Sequence, residues 1–213
     1  MKRTLFLGAL VAITIGTTAF LVGPGDTESL AIGAKAPLTD LAMTGVDGQK
    51  TTLQRSAGEN GLLVVFSCNT CPFVVGRGEK SQGWEGRYND LNNMANAKGV
   101  NMILVNSNEA KRDDADSMTA MQEHSTSVGY TMPYVEDTNH QLADAFGART
   151  TPHVYLFNKQ MELVYKGAID DNVDDAKAVK QTYLKNAVEN MTAGKAIEPS
   201  STKPLGCSIK RVQ

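Results

Sequence analysis

Continuous apolar runs separated by polar stretches mark the interior of this chain. Three of them cover residues 61–66, 101–105 and 154–157, and polar or turn-forming residues bound each run. An uninterrupted apolar run of this length is typical of a strand that is buried on both faces of a sheet. We therefore expect these segments to form the centre of a β-sheet.

Two further patterns predict hairpins near the two ends of this sheet. Residues 38–43 and 51–53 are short alternating segments around a turn at 45–48, which predicts an N-terminal β-hairpin. Residues 154–157 are followed closely by a second apolar stretch at 163–165. The short connection predicts that these two strands pair antiparallel.

Apolar residues recur at helical spacing between the predicted strands. The helices predicted in this way cover residues 84–98, 115–127, 142–146 and 176–191. Strands that alternate with helices predict an α/β fold. We expect a central mixed, mainly parallel sheet flanked by helices, with the N-terminal β-hairpin as an extension.

The first 22 residues differ in composition from the rest of the chain. Lys2 and Arg3 are followed by an apolar stretch that contains no acidic residue. A positive end before an apolar run is typical of an export signal. We expect residues 1–22 to be a signal peptide or an uncleaved membrane anchor, followed by a linker at 23–33 and one domain at 34–213. Either outcome places the domain in the periplasm or cell envelope, or outside the cell.

The charge balance and the cysteine count of the 213 residues limit the classes of partner. Basic and acidic residues number 21 and 23, which gives a net charge of -2. No block rich in lysine and arginine is present to follow a phosphate backbone, so nucleic acid is not expected as a partner. Three cysteines are an odd number for an exported chain, so at least one thiol is free, shared or transiently bonded.

Two of the cysteines form a Cys-x-x-Cys motif directly after the first buried strand. Cys68 and Cys71 are separated by two residues, Asn69 and Thr70. If a helix begins at Cys68, the helix dipole and free N–H groups favour its thiolate, and Cys71 lies one turn later on the same face. We therefore expect a disulfide-forming pair in which Cys68 attacks, as the more acidic and exposed thiol, while Cys71 resolves.

A metal site is the main structural alternative for this motif. A structural zinc ion needs four ligands, which usually come from a second closely spaced pair. The other candidates, Cys207, His124, His140 and His153, are unpaired in the sequence. The redox interpretation is therefore preferred, and neither a metal nor another cofactor is predicted.

Five short segments carry a resemblance to a known family. They read FSCNTCPFV at residues 66–74, VNSN at 105–108, ARTTPHV at 148–154, GAIDDN at 167–172 and GCSIK at 206–210. Together they resemble thioredoxin-like redoxins of the alkyl hydroperoxide reductase/thiol-specific antioxidant grouping, in a CxxC-containing branch of exported bacterial proteins. The resemblance extends over most of the chain after the linker. It implies a thioredoxin-like fold and thiol redox chemistry, without naming a substrate.

The resemblance also implies a substrate-binding segment. It places Pro152 as the cis-proline that faces the disulfide in thioredoxin-like folds. The backbone of Thr151 would then be free to pair with an extended substrate segment. Thr151 and Pro152 are therefore expected to bind substrate.

Several positions depart from the usual thioredoxin pattern. Ser67 stands where typical thioredoxins have tryptophan, and residues 69–70 replace their Gly-Pro pair. These residues help to set the reduction potential, so the resemblance does not decide between an oxidant and a reductant. Glu79, Glu136 and Asp137 are candidates, by proximity in sequence alone, for a buried carboxylate that relays protons.

The favoured function is a thiol–disulfide oxidoreductase. Its partners would be protein thiols or disulfides of the cell envelope and a further redox protein, with membrane contact only through an uncleaved N-terminal anchor. A peroxiredoxin-like peroxidase is one alternative. Peroxiredoxins carry proline and threonine seven and three residues before the peroxidatic cysteine. Gly61 and Val65 occupy these positions relative to Cys68, and Val64 and Cys68 relative to Cys71.

A Cu(I)-binding chaperone is the second alternative. Soft thiolates suit Cu(I), and the ligands would be Cys68, Cys71 and His153. A histidine beside a strand is more often structural, which ranks this function below the redox one.

The third cysteine lies in a tail beyond the last predicted helix. Cys207 follows Pro204, Leu205 and Gly206, and Ile209 beyond it is available for packing. One interpretation is a small residue that is buried where the tail docks. The other is that the tail folds back to the CxxC motif and supplies a third thiol, which an odd cysteine count in an oxidising compartment favours.

Overall fold

The computed structural model describes residues 29–212. The expected export segment, residues 1–22, lies outside this range, as does the first part of the linker. Within the described residues, no helix is long and apolar enough to cross a membrane.

Short strands and helices alternate along this range. The strands are β1 Met43–Gly45, β2 Lys50–Thr51, β3 Gly61–Phe66, β4 Val100–Asn106, β5 Tyr134–Glu136, β6 Thr150–Thr151, β7 His153–Asn158, β8 Leu163–Gly167 and β9 Cys207–Ser208. The helices are α1 Leu53–Ser56, α2 Pro72–Val75, α3 Tyr88–Asn96, α4 Met118–Val128, α5 Gln141–Phe146 and α6 Tyr183–Thr192. Turns of 3-10 helix occur at Glu85–Arg87, Glu109–Lys111, Thr138–His140 and Ala176–Ala178.

A seven-stranded sheet forms the centre of the fold, in the order β2–β1–β5–β4–β3–β7–β8. The interior strand β3 is parallel to β4 and antiparallel to β7, so that Phe66 lies opposite Val105 on one side and His153 on the other. The thioredoxin-like α/β fold with its mixed sheet and N-terminal hairpin is confirmed. Antiparallel pairings outnumber parallel ones, in contrast to the expected mainly parallel sheet, because antiparallel strands complete the sheet on both sides.

The sheet separates two apolar cores, and strand β3 contributes side chains to both. Leu63 and Val65 point to one face, where α3, α4 and α6 pack. Leu62, Val64 and Phe66 point to the other face, which α1 and α5 cover. Successive strand residues point to opposite faces, so a strand covered on both sides needs apolar residues throughout. This requirement explains why the predicted bounds of β3 agree with the structure.

Some elements differ from the sequence-based expectation. The N-terminal strand begins only at Met43, because Leu38 has a left-handed backbone (φ 52°) that ends the extended conformation there. Helix α4 begins at Met118, later than expected. Ser117 is its N-cap, and the Ser117 side chain accepts a hydrogen bond from the backbone N–H of Ala120. Helix α6 begins at Tyr183, well after the expected start at residue 176. Strands β5, β6 and β9 were not predicted, since two or three residues carry too little pattern.

Candidate active site

The CxxC motif lies in the loop between β3 and α2. Helix α2 begins at Pro72 and Cys71 occupies its N-cap position, so the expectation of a helix that begins at Cys68 is wrong. Proline is favoured in the first turn of a helix because its missing N–H has no intrahelical partner there. Cys68 instead belongs to the loop that leaves β3, and both cysteine side chains are buried, with exposed fractions of 2% and 3%.

Both sulfurs contact Thr151 at the end of β6. The Cys68 Sγ lies 3.2 Å from the Thr151 hydroxyl, and the Cys71 thiol donates to the Thr151 carbonyl at 2.9 Å. The Thr151–Pro152 peptide bond is cis, as the resemblance implies. The structure therefore brings together Cys68, Cys71, Thr151 and Pro152. All three cysteines of the chain are free thiols in this state.

The pKa values of the two cysteines shift in opposite directions. The hydrogen bond from the Cys68 thiol, supported by Cys207 and the Thr151 hydroxyl, lowers the pKa of Cys71 to about 5 despite burial. The same contact with Cys71, followed by burial, raises the pKa of Cys68 far above its usual range. The Thr151 carbonyl, which accepts from the Cys71 thiol at 2.9 Å, favours the protonated form of Cys71. The directions of these shifts favour Cys71 over Cys68 as the first of the two thiols to lose its proton.

A buried carboxyl group supports the loop of the motif. Asp116 is fully buried and accepts hydrogen bonds from the backbone N–H of Asn69 at 2.9 Å and from the side-chain amides of Asn106 and Asn108 at 2.8 and 3.0 Å. The Tyr134 hydroxyl completes the group by donating to the Asn69 side chain at 2.8 Å. This network fixes the backbone between the two cysteines. The Asp116 carboxylate also contributes to the raised pKa of Cys68.

Sequence reasoning missed Asp116, and its three carboxylate candidates have other surroundings. Asp137 accepts hydrogen bonds from Ser107 and from two backbone N–H groups at the start of α5. Glu136 lies 3.8 Å from Arg112, and Glu79 is exposed. The position of Asp116 in the sequence could have indicated its role, because Asp116 follows β4. The carboxyl ends of β4 and β3 lie at the same edge of the sheet, where the CxxC motif also lies.

The C-terminal tail reaches the same site. Strand β9 pairs antiparallel with β6, with Cys207 opposite Thr151 and Ser208 opposite Thr150. The expectation that the Thr151 backbone is free for a substrate segment is therefore wrong in this state, because the tail of the chain occupies that edge. Cys207 packs against the core that contains Cys68 and Cys71, and Ile209 is buried in the opposite core.

His153 does not join the two cysteines. Its ring lies 4.6 Å from the ring of Tyr155, in the core on the opposite face of the sheet from Cys68 and Cys71. Burial, followed by the charge of Lys166, lowers the pKa of His153 to about 3. No group of three or more His, Cys, Asp or Glu side chains within residues 29–212 is arranged to hold a metal ion. The copper hypothesis therefore has no assembled ligand set in this part of the chain.

The class of this protein follows from its fold and from the pair of thiols beside a cis-proline. It is a thioredoxin-like protein, and the chain belongs to the Redoxin family, whose model matches residues 31–181. No curated protein matches the chain significantly.

Solved structures share this fold. An uncharacterized conserved protein from Geobacillus kaustophilus is 29% identical, with a TM-score of 0.75 over 85% of this chain and 93% of that chain. A hypothetical protein from Sinorhizobium meliloti 1021 is 26% identical, with a TM-score of 0.72 over 87% and 97%. Peroxiredoxin Q from Xanthomonas campestris is 17% identical, with a TM-score of 0.52 over 77% and 96%, and shares the fold.

Proposed function

We propose that this protein is an exported thiol–disulfide oxidoreductase that acts on protein thiols or disulfides through Cys68 and Cys71. The observation that carries the proposal is the contact between the two thiols against Thr151, with the pKa of Cys71 lowered to about 5. A thiolate is the nucleophile of thiol–disulfide exchange, and a neighbouring thiol resolves the mixed disulfide. Membership of the Redoxin family supports redox chemistry of this class.

The lowered pKa of Cys71 supports Cys71 as the attacking thiol and Cys68 as the resolving one. In the reducing direction, the Cys71 thiolate attacks one sulfur of a client disulfide, and the other client sulfur leaves as a thiolate. Cys68 then loses its proton and attacks Cys71, which forms the Cys68–Cys71 disulfide and releases the second client thiolate. The same steps in reverse transfer a disulfide to a client. The direction in the cell depends on the potential of the pair and on its redox partner.

The proposed location is the periplasm or cell envelope. Lys2, Arg3 and the apolar stretch that follows them favour export. In such a compartment a free dithiol is maintained or recycled by a further redox protein, which is the proposed partner.

Trapping of mixed disulfides tests this function. The double variant Cys68→Ser, Cys207→Ser retains Cys71 and lacks both neighbouring thiols, so clients attacked by Cys71 should accumulate as mixed disulfides in cell-envelope extracts. The double variant Cys71→Ser, Cys207→Ser is the matched control, retains only Cys68, and should trap few clients. Trapping by this control alone would identify Cys68 as the nucleophile. If neither variant traps clients, and Cys68 and Cys71 fail to form a disulfide in the oxidised wild type, the oxidoreductase function is excluded.

A further inference from the structure

The tail strand β9 occupies the place that a substrate strand would take at the active site. Thioredoxin-like proteins use the backbone beside the cis-proline to pair with extended clients, a form of strand addition. Here Thr151 pairs with Cys207 of the same chain. A cysteine therefore stands where the reacting cysteine of a client would stand.

The approach of the tail to this edge is close and depends on a glycine. A Cβ atom at Gly206 would lie 2.2 Å from the Thr151 carbonyl oxygen and 3.2 Å from the Pro152 nitrogen. Backbone atoms cannot move aside as a flexible side chain can, so any larger residue would push the tail away. Gly206, directly before Cys207, therefore allows the tail to lie against Thr151.

Hydrogen bonds on both sides of Cys207 fix its position. Upstream, the Thr202 hydroxyl lies 2.8 Å from the Tyr165 hydroxyl and accepts from the backbone N–H of Ala168 at 2.9 Å. Downstream, the backbone N–H of Ile209 donates to the Arg149 carbonyl at 3.0 Å. The Lys210 backbone N–H also donates to the Asn108 side chain at 2.8 Å. Because Asn108 also binds Asp116, the tail and the loop of the CxxC motif are held by one network.

Cys207 lies beside Cys71 at the site. Cys207 lies opposite Thr151, whose carbonyl accepts from the Cys71 thiol, and it packs against the cluster that contains Cys71. The proximity of Cys207 also helps to lower the pKa of Cys71. Cys68 and Cys71 are almost fully buried, whereas Cys207 is half-buried. Cys71 therefore has a thiol neighbour on each side, and the outer neighbour is the more accessible one.

From this arrangement we infer that Cys207 is a third redox-active thiol, which exchanges with the Cys68–Cys71 disulfide and carries the disulfide to the surface. Cys207 loses its proton and attacks the Cys71 sulfur. The Cys68–Cys71 bond breaks, a Cys71–Cys207 bond forms, and Cys68 leaves as a thiolate that takes up a proton. The exchange involves no net oxidation. It rests on the proposed function, which supplies the initial disulfide.

The variant Cys68→Ser tests the exchange partner. Its two remaining thiols, Cys71 and Cys207, should form an intramolecular disulfide when the purified protein is treated with diamide and mapped by non-reducing peptide mass analysis. The matched control is Cys71→Ser, which also retains two thiols but lacks the one that Cys207 contacts. The control should yield little or no Cys68–Cys207 linkage.

A second variant changes the position of the tail without removing a thiol. Adding Gly206→Ala to the Cys68→Ser variant should lower the yield of the Cys71–Cys207 linkage about fivefold or more, because thiol proximity governs such reactions. Gly206→Ala alone should still form the Cys68–Cys71 disulfide, which shows that the variant is folded at the site.

The possible results separate this inference from the proposed function. If Cys68→Ser gives only intermolecular disulfides while the wild type forms Cys68–Cys71, the third-thiol role is overturned and the oxidoreductase function stands. An undiminished Cys71–Cys207 yield in the Gly206→Ala background would also overturn it, because the linkage would then not depend on the docked tail. If the wild type forms no Cys68–Cys71 disulfide, the proposed function itself fails.

Discussion

At the scale of single residues, the acidity of the two cysteines can be tested directly. Iodoacetamide reacts with thiolates, and the pKa of Cys71 is lowered to about 5 while that of Cys68 is raised. In the reduced folded protein, Cys71 should be labelled before Cys68, at a rate that changes little above about pH 6. In the urea-unfolded protein both should react alike. Labelling of Cys68 first in the folded protein would contradict the assignment.

Asp116 offers a second test at this scale. Asp116→Asn preserves the shape of the side chain but removes a negative charge that helps to raise the pKa of Cys68. In a Cys71→Ser background, the substitution should therefore lower the apparent pKa of Cys68, as measured by the pH dependence of its alkylation. The matched control is Asp114→Asn, since the Asp114 side chain is 74% exposed. An equal shift in both variants would show that Asp116 has no specific effect.

Reaction with peroxide distinguishes the oxidoreductase from the peroxidase alternative. Val64 and Cys68 stand seven and three residues before Cys71, so the threonine hydroxyl of the peroxiredoxin pattern is missing. The Thr151 hydroxyl is instead in contact with Cys68. Consumption of hydrogen peroxide by the reduced protein should be little faster than by a free thiol of similar pKa. A rate higher by orders of magnitude would place the peroxidase function first.

At the scale of elements, the segment after α2 is held by a close backbone approach. Gly83 has φ +68°, and a Cβ atom there would lie 2.2 Å from the Val74 carbonyl oxygen in α2. Gly83→Ala should therefore reduce the free energy of unfolding by about 1–3 kcal/mol in urea denaturation. The control Gly86→Ala has no atom within 4 Å of the added Cβ and should change it by less than about 0.5 kcal/mol. Equal effects would contradict this explanation.

Elements with a continuous apolar pattern could be predicted from the sequence. Short strands that form only by pairing with a segment distant in sequence could not. Strand β3 was predicted with correct bounds, because it is buried on both faces and every residue from Gly61 to Phe66 must be apolar or small. Strands β6 and β9 consist of Thr150–Thr151 and Cys207–Ser208. Such short polar pairs become strands only because the fold brings them together, which sequence periodicity does not record.

The residues of the candidate site also divide into those that the sequence identifies and those that it does not. Adjacent residues with a characteristic spacing, Cys68 and Cys71, were identified from the sequence. Asp116 was missed because it follows Asp113 and Asp114, and a run of acidic residues reads as solvated surface. The argument that Cys68 is the more acidic thiol loses its basis, because the helix begins after Cys71. The pKa of Cys71 also depends on Cys207, which is distant in sequence.

At the scale of the whole molecule, the thiols link stability to pH in the reduced state. Hydrogen bonds from Cys68 and Cys207 lower the pKa of Cys71 from 9.0 to about 5, so its contribution to stability is complete above about pH 9 and is lost as pH falls towards 5. Burial, followed by the contact with Cys71, raises the pKa of Cys207 from 9.0 to about 11. This contribution is complete below about pH 9 and is lost as pH rises.

The difference in unfolding free energy between the reduced and oxidised proteins isolates this effect. Most other titrating groups are common to both states and cancel in the difference. The reduced protein should lose stability relative to the oxidised protein between about pH 9 and pH 5, because only the reduced protein holds the Cys71 thiolate. Urea denaturation at pH 5, 7 and 9, with and without reductant, measures the difference. A difference that is constant with pH would show that Cys71 has an ordinary pKa.

Because β9 pairs with β6, the site is completed only when the C-terminal residues have been synthesised. A ribosome makes Cys68, Cys71 and Thr151 long before it makes Gly206 and Cys207. Until the later residues emerge and dock, the edge at Thr151 is bare and the site has two thiols rather than three. A nascent chain therefore presents an open edge to any neighbouring strand, and the finished chain covers it with its own.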